Sequence, residues 1–106
     1  MSDSSLTGAQ KSFLRGLGQT MDPSIKVGKA GLTPAFFREL SGLLDANELV
    51  KLRFLGTDRH ERDELVSQIV AEGRCELAGQ VGQTALLFRT QKDLAKARIT
   101  LPETRK

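Results

Sequence analysis

The junction at residues 25–34 constrains this chain more than any other stretch. Ile25 and Val27 alternate with Lys26, the period of a short strand. Gly28-Lys29-Ala30-Gly31 follows, and then Leu32-Thr33-Pro34. Thr33 is a good N-cap, and Pro34 falls at the first helical position, where its missing N–H costs nothing. Leu32, just before the cap, is spaced to pack on Phe37 as a hydrophobic staple. A helix is therefore expected to run to about Asn47, burying Phe36, Phe37, Leu40, Leu43 and Leu44. Strand turns into helix within a handful of residues, which excludes a chain built from one kind of element.

The flanking segments extend this pattern. Thr7 to Gln19 places Leu6, Ala9, Phe13, Leu14 and Leu17 at helical spacing, with Lys11 and Arg15 at i, i+4 on another face. Gly16 and Gly18 weaken the end of that helix, and Asp22-Pro23 marks a turn. Glu48 to Leu55 reads as a strand with Val50, Leu52 and Phe54 on one side and Lys51 and Arg53 on the other. Asp58 and Glu61 have the spacing of a capping box, and Leu65, Val66, Ile69 and Val70 form the apolar face of a third helix ending at Gly73. Cys75–Val81 and Thr84–Arg89 read as a hairpin turning at Gly82-Gln83. All five phenylalanines fall at core spacing. The order is α-β-α-β-α-β-β, which implies a two-layer α/β domain with a mixed sheet. The 106 residues fit one domain. Residues 1–5 are expected to fray, and helix formers recur around Lys92 to Ala97 before Ile99-Thr100-Leu101-Pro102.

Several function classes lose support. Catalysis needs a nucleophile with its base, or a metal. The sole histidine, His60, sits in the first turn of the third helix, and no serine nucleophile motif or Walker lysine loop is present. Glu61, Asp63 and Glu64 read as favourable charge at a helix N-terminus. Cys75 is the one cysteine, so no internal disulfide or cysteine zinc site can form, and it reads as a small packed side chain. A reducing compartment is expected, and the N-terminus has no secretory features, so the cytoplasm is the expected location. No apolar run is long enough to span a membrane. No cofactor and no small-molecule substrate are expected.

Charge is uneven. Lys and Arg number 16 against 13 Asp and Glu, a formal +3. Residues 1–48 net zero, 49–88 net minus one, and 89–106 net plus four. A basic end of this kind contacts phosphates or is simply solvated, and charge alone does not choose. There is no Trp or Tyr, so the stacking platforms of many single-strand binders are missing.

The strongest functional candidate is the Gly28, Lys29, Ala30, Gly31 turn. Its glycines let another backbone approach closely, it runs into a helix N-terminus that favours phosphate, and Lys29 and Lys26 add charge. KH domains clamp a nucleic-acid backbone with a Gly-x-x-Gly loop by this logic. A tight structural turn would have the same sequence. Lys11 and Arg15 on a helix face, Lys51 and Arg53 on a strand, and Arg89 at a strand end form a wider basic set, for which a solvated surface is the rival reading.

Three segments together, Leu6-Thr7, Ile25-Lys26-Val27-Gly28-Lys29-Ala30-Gly31-Leu32-Thr33 and Glu48-Leu49-Val50-Lys51-Leu52-Arg53-Phe54, resemble the CRM domain (chloroplast RNA splicing and ribosome maturation), and within it the stand-alone bacterial YhbY-like proteins. The closing Ile99-Thr100-Leu101-Pro102 resembles their C-terminal end, so the likeness spans about residues 6–102, followed by a short basic tail at 103–106. The resemblance implies a four-stranded mixed sheet with three helices, similar to the C-terminal domain of bacterial translation initiation factor three. It implies RNA binding through the glycine loop and, for a single-domain chain, association with precursors of the large ribosomal subunit. Ala30 stands where family members commonly carry a polar residue such as Asn, so backbone clamping survives but a side-chain hydrogen bond does not. The expectation is a non-enzymatic, monomeric RNA-binding module using Gly28, Lys29, Ala30, Gly31, Lys26, Lys11, Arg15, Lys51, Arg53 and Arg89. The alternative is a protein–protein adapter on ribosomal proteins.

Overall fold

The computed structural model describes residues 6–28 and 31–90. The expected frayed start, the loop tip at Lys29 and Ala30, and the C-terminal segment from residue 91 lie outside the described residues. The order is α1 (Gly8–Gly18), β1 (Ile25–Val27), α2 (Pro34–Asn47), β2 (Leu49–Phe54), α3 (Arg59–Gly73), β3 (Glu76–Val81) and β4 (Thr84–Phe88). The strands form one sheet in the order β1-β2-β4-β3, with β1 parallel to β2 and the other pairs antiparallel. Three helices and a four-stranded mixed sheet are thus present, as the element pattern and the family likeness implied.

Local chemistry sets the helix starts. The Thr33 hydroxyl accepts from Phe36 N–H at 3.1 Å, with Pro34 next to it at the first helical position. Asp58 and Glu61 form the expected capping box, at 2.8 Å and 3.1 Å. Thr7 and Gln10 make another at the start of α1. α3 ends at Gly73 as expected, and the left-handed residue that follows is Arg74, at φ 53°. A Cβ on Gly73 would come within 3.2 Å of Leu40 Cδ2.

The sheet has two unlike faces. Val50, Leu52, Phe54, Ile25, Val27, Ala85 and Leu87 point to α2 and α3 and close the main core with Phe36, Leu40, Leu44, Val66 and Ile69. Among the described residues, the opposite face is crossed by α1 alone, over Leu49, Ala78, Leu86 and Phe88. Here the helix-face expectation needs correction. Phe13 is 40% exposed and Leu17 38%, whereas Leu14 and Gly18 are buried. The reason is close approach: a Cβ on Gly18 would sit 2.5 Å from Leu86 Cδ1, so Gly18 marks the line of contact and turns Phe13 and Leu17 outward. Four of the five phenylalanines pack as expected, and Phe13 does not.

Candidate nucleic-acid interface

Because α1 covers only part of its face, a strip of sheet stays open among the described residues. Register fixes what lies on it. Lys26 in β1 pairs with Arg53 in β2, Arg53 with Thr84 in β4, and Thr84 with Val81 in β3. Side chains on one face of neighbouring strands stand about 4.8 Å apart, so this row spans about 14 Å. Lys26 and Arg53 are exposed, and Val81 is 73% exposed. Neither cation forms an ion pair among the described residues. Like charges directly opposite on a sheet repel, and an anion laid across both relieves that cost.

The other predicted basic residues divide. Lys51 is half-buried, and its Nζ donates to Gly18 O and Met21 O, both at 3.1 Å. It therefore tethers the negative end of α1 to the sheet while keeping its charge beside the strip. Arg15 lies with its stem on Gly79, where a Cβ would meet Arg15 Cδ at 2.6 Å, and its Nη1 donates to Ala78 O at 3.4 Å. Arg15, Lys51, Val81, Thr84 and Leu86 wall a groove of about 450 Å³ that continues the strip beneath α1. Lys11 is one helical turn before Arg15 and half-buried, on the part of α1 that packs against β3. β3 is the sheet edge away from β1, the strand that leads into the glycine turn. Arg89 is not on this face. Its guanidinium donates to Asp45 Oδ1 at 2.9 Å, Gly73 O at 3.0 Å and Ser41 Oγ at 3.3 Å, joining α2 to the end of α3. That is a structural brace.

The glycine turn stands where β1 leaves the sheet, one residue past Val27 and two past Lys26. Gly31 adopts φ +71°, a conformation that favours glycine, and its N–H donates to Gly28 O at 3.0 Å. Pro34 has no N–H and Phe36 N–H is taken by Thr33, which leaves Ala35 as the first-turn amide that the cap does not use. Attraction for an anion here rests on side-chain cations more than on the helix start. On its far side the turn borders a groove of about 390 Å³ toward α3, and that wall carries Glu61 and Glu64. Those carboxylates disfavour phosphate there, whereas the Lys26–Arg53 side favours it. The carboxylate wall, Thr84 and Val81 were not among the expected site residues. Alternation along each strand hints at Thr84 and Val81, but placing them beside Arg53 requires the register.

The remaining chemistry is weak. His60 is exposed and 3.5 Å from Glu64 Oε2. Burial pushes the Cys75 thiol from its usual 9.0 up to about 11, partly opposed by the positive charge of Arg89, so it is no nucleophile at neutral pH. No group of three or more metal-ligating side chains occurs among the described residues, and none of their helices is long and apolar enough to cross a membrane.

Residues 6–89 match the CRS1/YhbY (CRM) domain model. The chain belongs to the CRS1/YhbY (CRM) domain family. It is 31% identical over 97 residues to an RNA-binding protein of Haemophilus influenzae, covering 92% of this chain and 95% of that one. It is 30% identical over 88 residues to the Bacillus subtilis "probable RNA-binding protein YqeI", covering 83% and 92%. The solution structure of the hypothetical protein SAV1595 from Staphylococcus aureus superposes with a TM-score of 0.76 at 29% identity, over 92% of this CRM chain and 99% of that one.

Proposed function

We propose that this CRM protein is a non-catalytic RNA-binding module of the cytoplasm, monomeric, that associates with large-subunit ribosomal RNA during ribosome assembly. Residues 6–102 act as one domain with a basic tail at 103–106. The observation that carries the reading is the adjacent, exposed Lys26–Arg53 pair opening onto the Gly28–Gly31 turn. The names of the relatives support RNA as the polyanion. RNA backbone runs across Arg53 and Lys26 and is held at Gly28, Lys29, Ala30 and Gly31, while Arg15 and Lys51 extend the field beneath α1. Lys11 contributes at a distance, and Arg89 serves by bracing α2 and α3.

Binding of a ribosomal RNA fragment free of protein, measured against salt, tests this. The double variant K26A/R53A should bind more weakly and lower the salt slope by about 1.4, at about 0.7 per phosphate contact on a single strand. Its thermal stability should match the parent. An unchanged affinity and slope in the folded variant would reject this surface, and would turn attention to an adapter role through the exposed Phe13 and Leu17.

A further inference from the structure

We propose that the groove between the glycine turn and α3 is a nucleobase subsite that selects guanine. This rests on the RNA-binding reading above. Gly28 and Gly31 belong both to the turn and to the groove wall. A strand whose phosphates lie on the Lys26 side of that turn therefore carries a base to the groove's mouth. The groove is about 390 Å³, within the range of small-ligand clefts.

Among the described residues, its lining suits a base and not a phosphate. Leu55, 45% exposed, and Leu65 offer apolar contact to a ring face. Gly28, Gly31 and Gly56 present no side chain there, which leaves room for a flat group. The two carboxylates repel phosphate and leave the backbone to the cations. Glu61 is held back by its own helix, since one of its oxygens accepts from Asp58 N–H at 3.1 Å. Glu64 is freer: its side chain is 70% exposed, and among the described residues only His60 is within ion-pair distance, at 3.5 Å.

An ionised carboxylate accepts and cannot donate. RNA-binding proteins read splayed-out bases by hydrogen bonds to their Watson–Crick edges. On that edge guanine alone presents two donors side by side, N1–H and the 2-amino group, matching the two oxygens of Glu64. Uracil, adenine and cytosine each put an acceptor next to their donor and would set it against the carboxylate. A charge-assisted bidentate pair is both the stronger and the more selective arrangement.

Fluorescence anisotropy with two labelled six-nucleotide RNAs tests this. One is an adenosine tract with a single guanosine, and the other carries inosine, which lacks the 2-amino group, at that position. The unsubstituted protein should bind the guanosine strand about tenfold more tightly, as expected for loss of half of a bidentate pair. Glu64→Gln, at an exposed position, should bind both strands alike. Equal binding by the unsubstituted protein, as when the groove takes a protein's arginine instead, or a preference that survives Glu64→Gln, overturns the subsite. The variant K26E/R53E separates the two ideas. If it weakens binding of both strands while guanosine and inosine are never distinguished, the basic strip stands and the subsite falls. If it leaves binding unchanged, or if neither strand binds the unsubstituted protein, both fall.

Discussion

The two faces of the sheet have opposite characters. The face toward α2 and α3 is sealed: Leu52, Leu87, Leu40 and Ile69 are no more than 1% exposed. Outside that layer, residues 33–47 and 58–74 carry seven carboxylates against four arginines. The face toward α1 is half-covered, and five cations, Lys11, Arg15, Lys26, Lys51 and Arg53, meet Asp22 and Glu76 on α1, the turn after it and the sheet beneath. A net charge of +3 conceals this division, because the acidic helices offset the basic face and the excess lies in residues 89–106. A polyanion meets attraction on one side of the molecule and repulsion on the other. The side that pays for stability in apolar burial is therefore separate from the side available for binding, and the two can be perturbed independently.

The largest contrast lies within β2, where neighbouring residues serve opposite faces. Leu52→Ala should cost about 2–5 kcal/mol, since it leaves a cavity in the sealed layer. Arg53→Ala, one residue away, should stay within about 0.5 kcal/mol. Urea denaturation of both variants measures this, and comparable losses would dissolve the distinction between the faces. Next in size is Arg89→Ala. It removes the brace from Asp45 and Gly73 O, and should destabilise by about 1–3 kcal/mol. RNA affinity measured well below the melting temperature should be unchanged, since Arg89 faces away from the strip.

Sequence made the sealed side far easier to read than the open one. The Thr33–Pro34 start, the Asp58–Glu61 box and the Gly82 turn (φ 56°) depend on residues within a few positions of one another. Local spacing therefore carried them. Phe13 and Leu17 had correct helical spacing, but the face buried is chosen by Gly18 against Leu86 and Gly79 against Arg15, contacts made across the fold. Lys26 and Arg53 were legible as exposed cations, whereas their adjacency needed the parallel β1–β2 register. Arg89 was misplaced for the same reason: a basic residue at a strand end looks like surface until Asp45 and Gly73 O are seen around it. The carboxylate wall beside the turn joins residues about thirty positions apart and left no local signal.

Cys75 gives a pH test of the sealed layer. Its thiol is raised to about 11 mainly by burial. Below pH 9 it is protonated in both folded and unfolded chains, and its contribution to stability is complete. Between 9 and 11 the unfolded thiol ionises while the folded one resists, so stability falls as pH rises through that window. The chain has no tyrosine, and the C75A variant subtracts the contributions of all groups other than the thiol. The parent should lose denaturation midpoint between pH 9 and 11 faster than C75A. Parallel curves would mean that the thiol is not sealed.

The smallest expected effect comes from the half-covered face. Gly18 at the end of α1 and Gly79 beneath that helix both have too little room for a Cβ, at 2.5 Å from Leu86 and 2.6 Å from Arg15. What they would strike differs. Leu86 is buried and hemmed in by the second core cluster, so Gly18→Val should cost about 1–3 kcal/mol through overpacking. Arg15 is an exposed side chain with a free path into solvent, so Gly79→Ala should stay within about 0.5 kcal/mol, the lost stem contact being offset by the lower backbone entropy of alanine. Arg15 would then swing off the sheet, opening the groove without removing its charge. Paired melting curves decide the point: a Gly79→Ala variant as damaged as Gly18→Val would show that the basic half of this face is packed as rigidly as the apolar half.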